Sequence, residues 1–136
     1  MDSDLPSIHF TIPAQDSMDR EEVEGKLRAE KDHLVFDWKI PDRAFAKGKG
    51  GTLQIPYTDI EDFQVEKRWF RKRILIMRLR NQDHLKEVPG IGVGLAELEV
   101  SPRSRTELDS FLKHIDYNLS ELRLNKAMEK LDDLSD

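Results

Sequence analysis

The sequence predicts an α+β fold, in which a series of short strands precedes one C-terminal helical region. Three observations carry this reading. Between residues 22 and 100, apolar and polar residues alternate at a period of two in segment after segment. Beyond Ser104 the period changes to 3.6. A chain of 136 residues is one domain by length and long enough to bury about two-thirds of its unfolded surface, so a single apolar core suffices.

Composition narrows the chemistry. There is no cysteine, which excludes disulfides, thiolate metal sites and cysteine nucleophiles and fits a reducing compartment. No apolar run approaches the roughly 18 residues of a membrane span. "MDSDLPSIHF" has neither the basic flank nor the apolar stretch of a secretory signal. The expectation is a soluble, cytoplasmic protein. The net charge of −5 is uneven: residues 1–24 hold seven acids against Arg20 alone, a net of −6, which leaves +1 for the rest. Residues 61–80 hold seven bases against three acids, so an acidic leader precedes a nearly neutral body with one basic sector.

The elements follow in order. Residues 1–21 read as an acidic arm in which "SIHFTIP" alternates as a short strand; Pro6 and Pro13 bracket it and suit a sheet edge. "AQDSMDR" has no periodicity and reads as linker. Val23, Leu27 and Ala29 line one arm of a hairpin and Leu34, Phe36, Trp38 and Ile40 the other, with "EKDH" as the turn. "AKGKGG" is a loop. Leu53 and Ile55 begin the next strand, followed by Ile60, Phe63 and Val65. In "RKRILIMRLR", Leu75, Met77 and Leu79 form one strand face and Ile74, Ile76, Arg78 and Arg80 the other. "LAELEVS" places Ala96, Leu98 and Val100 inward and Leu95, Glu97 and Glu99 on the opposite side.

Ser104 with Glu107 makes a capping box, so a helix starts there. Leu108, Phe111, Leu112, Ile115, Leu119 and Leu122 follow at helical spacing. The stripe then slips to Leu124, Ala127, Met128, Leu131 and Leu134. Asn118 and Ser120 stand at the slip, where either caps a new helix, so a kink or break is expected near Asn118. The domain boundaries read as an arm at 1–21, a domain at 22–117 and a helical extension at 118–136.

"GKLRAEKDHLVFDW", "LQIPYTDIEDFQVEKRWFRKRILIMRL" and "LAELEVSPRSRTELDSFLKHI" resemble the pleckstrin-homology-like (PH-like) superfold in its bacterial and GRAM-like versions. The most specific piece is "IPYTDIEDFQVEK", similar to that family's Ile-Pro-aromatic-x-Asp-Ile turn. The resemblance covers about residues 22–117 and implies a bent antiparallel β-barrel of six to seven strands capped by a C-terminal helix. It further implies that Tyr57 and Ile60 are barrel residues and that Asp59 bonds the turn backbone. Because the superfold serves lipid binders, peptide binders and oligomerising domains alike, it favours binding over catalysis without selecting a ligand.

Two surfaces are candidates. The first is the basic stretch Lys67, Arg68, Trp69, Phe70, Arg71, Lys72 and Arg73, where the bland reading is a solvated turn balanced by Glu61, Asp62 and Glu66. The functional reading is an anionic membrane surface, at about 1 kcal/mol of attraction per base, with Trp69 and Phe70 inserting. Lys26, Arg28 and Lys31 lie on a hairpin whose short turn holds Glu30 and Asp32, leaving little room around a phosphoinositide headgroup. The net negative charge argues against nucleic acid. The second surface is Leu122, Leu124, Met128 and Leu131, outside the helix length a capped barrel needs. These residues pack on their own barrel or form an interface with a partner protein or a second copy.

Other motifs carry nothing. His9, His33, His84 and His114 are not at ligand spacing, so no metal site is expected. "GIGVG" precedes a strand instead of opening a helix, and "KGKGG" lacks the Gly-Lys-Ser/Thr ending of a phosphate loop. No cofactor and no catalytic residue are assigned. The sequence reading is a non-catalytic binding or oligomerisation module, with anionic-membrane binding through residues 67–73 as the alternative.

Overall fold

Every alternating segment becomes a strand. A computed structural model of the chain describes residues 5–13, 22–41, 50–91 and 94–134. The strands are β1 (Ser7–Ile12), β2 (Val23–Ala29), β3 (His33–Lys39), β4 (Gly50–Pro56), β5 (Ile60–Arg68), β6 (Lys72–Leu79) and β7 (Leu95–Val100), followed by the helix α1 (Arg105–Leu134). The linker expected at 14–20, most of the glycine loop before β4, the middle of "GIGVG" and residues 1–4 of the leader lie outside the described residues.

The seven strands form one antiparallel sheet in the order β4-β3-β2-β1-β7-β6-β5. It does not close: β4 and β5 are its two edges, so the closed barrel becomes an open bent sheet with a helix across it. The α+β class and the helix-capped, PH-like form of the sheet are as expected.

The seventh strand is "SIHFTIP", and it lies at the centre of the sheet. Its bracketing prolines do not push it to an edge, because both stand just outside the ladder, and β1 pairs with β2 along all six residues. Its seam with β7 is short: the ladder holds only Phe10↔Val100 and Thr11↔Glu99. Two further bonds extend it, from Ser101 N–H to the His9 carbonyl at 2.9 Å and from His9 N–H to Ser104 Oγ at 2.9 Å. Ser104, expected as a helix cap, thus spends its buried hydroxyl oxygen on β1.

One face of the sheet is the core. Ile8, Phe10 and Ile12 of β1 join Leu27, Leu34, Phe36, Ile55, Leu75, Met77, Leu98 and Val100, all buried. The rings of Phe10 and Phe36 lie 5.1 Å apart. The helix closes this face with Leu108, Phe111, Ile115 and Leu119, and the Phe111 ring sits 6.4 Å from Phe63 on β5. Each such side chain contributes roughly 1.5–3 kcal/mol on burial.

The turn between β4 and β5 behaves as the resemblance implied for Tyr57 and Ile60, which are buried. Asp59 reaches further than its own turn. Its Oδ1 accepts from Asn81 N–H at 2.9 Å, its backbone carbonyl accepts from Arg80 N–H at 2.8 Å, and His84 Nε2 lies 2.9 Å from Oδ2. It ties the start of β5 to the exit of β6.

The helix does not break at Asn118. It runs unbroken for 30 residues, about 45 Å at 1.5 Å per residue. Asn118 neither caps nor kinks it. This side chain is buried and donates from Nδ2 to the Glu30 carbonyl at 3.2 Å. A polar side chain at the slip is thereby explained by a partner 88 residues away.

Candidate functional site

An unbroken helix changes what the slipped stripe means. At 100° per residue, Leu108, Phe111, Ile115 and Leu119 point to the sheet, while Leu124, Met128 and Leu131 point roughly 180° away. The outward residues are exposed: Leu124 by 60%, Met128 by 56% and Leu131 by 64%. Continuing the same helix cannot rotate them onto the core, and among the described residues none covers them. Leu122 separates from the group, since it is part-buried and packs against the core. Leu134, which the sequence put on the same stripe, is exposed as well but points to its flank. One residue that sequence reasoning did not assign belongs to the outward stripe: Tyr117, exposed by 62%. Tyr117 stands seven residues before Leu124, a spacing that could have placed it there. Its hydroxyl donates to Glu121 at 2.8 Å, and that carboxylate holds the phenol above its usual pKa.

The basic stretch forms the β5–β6 hairpin. Arg68↔Lys72 and Lys67↔Arg73 are paired in the ladder, and Trp69, Phe70 and Arg71 make the tip. Phe70 and Arg71 both have positive φ, 62° and 61°, the left-handed region that costs a non-glycine residue about 1–2 kcal/mol. The tip presents Trp69 at 87% and Phe70 at 90% exposure. Several flanking bases have acidic neighbours: Arg68 lies 3.0 Å from Glu66, and Lys72 lies 3.5 Å from Glu99. Arg73 donates to the Arg71 carbonyl at 3.2 Å. Part of the positive charge is therefore matched locally, as the bland reading expected, though Glu97 and Glu99 on β7 share that role with Glu66.

The third feature is a cavity of about 700 Å3 between β1, β2, β3 and the turn into α1. Lys26, Lys39 and Arg103 line it together with Glu24 and Asp37, so acids and bases alternate across its wall. The ladder sets His9 opposite Lys26 and Lys26 opposite Asp37. Burial, then Arg103, then Lys26, lowers the His9 pKa. Asp37 already accepts the Thr52 hydroxyl at 2.6 Å. The wall offers no field of one sign and no nucleophile paired with a base.

Among the described residues, no group of three or more His, Asp or Glu is arranged to hold a metal ion. No helix among them is long and apolar enough to cross a membrane. Set against protein-family models, curated proteins and solved structures, the chain matches none of them.

Proposed function

We propose that this chain is a non-catalytic, PH-like assembly module whose projecting helix docks on protein through Leu124, Met128 and Leu131. One observation carries the reading: the two apolar faces of α1 lie on opposite sides of one unbroken helix, so the second face has no route to its own core. Leaving several large apolar side chains wet forgoes a gain of roughly 1.5–3 kcal/mol each. Contiguous apolar patches of this kind mark interaction sites.

The test is the solution mass of the full chain beside Leu124→Glu/Met128→Glu/Leu131→Glu, measured by light scattering after size exclusion. A chain stopped after Tyr117 is the poorer control, because it also removes Asn118 and Leu119, which the fold uses. The expected result is an assembly that becomes monomeric in the triple variant while its thermal unfolding at low concentration is unchanged. A monomer in both samples, with no partner retained by the helix, overturns the reading.

A second reading is attachment to an anionic membrane by the β5–β6 tip. Two adjacent aromatics exposed to this degree on a strained turn, with Lys67, Arg68, Arg71, Lys72 and Arg73 around them, support it. Sedimentation with phosphatidylserine vesicles separates the two readings. Membrane binding is expected to fall steeply with salt and to vanish in Trp69→Ala/Phe70→Ala. Association through the helix is expected to ignore that variant.

A further inference from the structure

We infer that the place where α1 leaves the sheet is a small oxyanion site, built by Arg80, Arg123 and Lys126 and sized for one phosphate group. It is separate from the outward stripe and from the β5–β6 tip, and it depends on neither reading above.

A cavity of about 40 Å3 lies between the β4–β5 turn, the exit of β6 and the helix. It has room for about three water molecules, the scale of one tetrahedral oxyanion and not of a whole nucleotide. Ile60, Leu119 and Leu122 give it apolar surface, and Thr58, Arg80, Arg123 and Lys126 give it polar surface. Among the described residues, no acid lines it.

Helix geometry brings two of the bases there. At 100° per residue, Arg123 and Lys126 fall about 40° and about 20° to either side of Leu119, the last buried side chain, so both turn toward the sheet. Arg80 comes from the exit of β6, where its N–H is held by the Asp59 carbonyl at 2.8 Å. The site is thus assembled by the same contacts that fix the helix over the turn.

The three charges are uncompensated. Among the described residues, no carboxylate forms an ion pair with Arg80, Arg123 or Lys126. The neighbouring acids are engaged elsewhere or stand off the site. Asp59 accepts from Asn81 N–H and faces His84, Glu30 pairs with Arg28 at 2.7 Å, and Glu121 accepts from Tyr117. Glu129 does not line the cavity. Arg123 and Lys126, three residues apart on one helix face, repel each other, and Arg80 adds a third like charge. Apolar surroundings screen that repulsion less than open water does. A local rule is broken at a cost to the empty site, and a bound oxyanion turns the repulsion into charge-assisted hydrogen bonds. Two guanidinium groups, an ammonium and the Thr58 hydroxyl supply donors for the acceptor-only oxygens of phosphate.

The test is titration of the full chain with inorganic phosphate at constant ionic strength, followed by backbone amide resonances, with chloride as the reference anion. Saturable shifts are expected at Thr58, Arg80, Arg123 and Lys126, with slower amide exchange in the turn after Leu119. Arg80→Gln and Lys126→Gln, both at exposed positions, are each expected to weaken binding about tenfold without lowering the thermal midpoint in phosphate-free buffer. Unchanged affinity in these variants would overturn the inference. So would equal, unsaturable shifts at residues 67–73, which would mean counter-ion screening alone. Two esters then separate the sources of phosphate. Binding of glycerol 3-phosphate assigns a soluble phosphomonoester. Binding to phosphatidic acid vesicles that is lost in Lys126→Gln and kept in Trp69→Ala/Phe70→Ala assigns a lipid headgroup. Inorganic phosphate bound with neither ester would mark an adventitious ion only, and would overturn the inference as well.

Discussion

Tyr57 and Asn118, 61 residues apart in sequence, donate to the same atom: the Tyr57 hydroxyl and the Asn118 amide both reach the backbone carbonyl oxygen of Glu30. Glu30 lies at the turn between β2 and β3, Tyr57 at the turn between β4 and β5, and Asn118 in the middle of α1. Three elements distant in sequence are thereby fixed to one point. The same point marks where the helix leaves the sheet, since the last buried side chain, Leu119, is the next residue.

The shared carbonyl predicts a coupling. Tyr57→Phe and Asn118→Ala each leave the Glu30 oxygen one donor, so each is expected to cost about 1 kcal/mol. The double variant leaves it with neither and is expected to cost more than the sum, by roughly another 1 kcal/mol. Urea unfolding of the four chains measures this; strict additivity would show that the two bonds act independently.

Tyr57 also sets an alkaline limit. Burial pushes its pKa up to about 12, opposed by its hydrogen bond with Asn118. The folded state thus favours the neutral phenol. Its contribution is complete below the unfolded value near 10 and is lost as pH rises toward 12. Stability is expected to fall across that window in the wild type, and less so in Tyr57→Phe. Equal slopes in the two proteins would contradict the assignment.

His9 acts at the other end of the scale. With burial, Arg103 and Lys26 lowering its pKa and Glu107 opposing them, the folded state favours the neutral ring. The stability this gives is present above the unfolded value near 6.5 and is lost as pH falls through the lowered folded value. Titration followed by histidine proton resonances is expected to show His9 below the ordinary range, and Arg103→Gln is expected to raise it.

Gly25 is required by close approach. A Cβ there would stand 2.2 Å from Phe10 Cζ and 2.5 Å from the Asp37 carbonyl oxygen. The Phe10 ring is held in the core and the carbonyl belongs to the β2–β3 ladder, so neither yields cheaply. Gly25→Ala is expected to destabilise the fold by about 1–3 kcal/mol, read as a lower denaturation midpoint.

The β5–β6 tip predicts a gain in stability. Phe70→Asn puts a residue tolerant of left-handed φ at a strained position and is expected to add about 0.5–1 kcal/mol. If the tip meets membranes, the same variant is more stable and binds vesicles less, a combination that simple misfolding cannot produce.

Much of this architecture was legible in the sequence because it is periodic. The β2–β3 hairpin, β6, β7 and the first turns of α1 follow from alternation or helical spacing, which report the buried face directly. The unread parts depend on distant partners. The central place of β1 was hidden because the prolines beside it also suit an edge strand. Asn118 resembled a cap because its true partner, the Glu30 carbonyl, is on another element. The stripe beyond it looked like a new helix because a change of apolar face has two causes, a break or a change of neighbour, and spacing alone does not separate them. The left-handed tip at Phe70 has no signal in residue type at all, since neither Phe nor Arg favours that conformation.

A helix anchored over one half only also has two regimes of amide exchange. Up to Leu119 the backbone is pinned by core side chains, so its amides open mainly when the whole domain unfolds. Beyond that residue no described side chain is fully buried, and opening is a local fraying that proceeds inward from the end. Self-association would protect only this second half. Protein concentration then acts as a dial on the exchange rates at one end of a single helix, while those at the other end stay fixed.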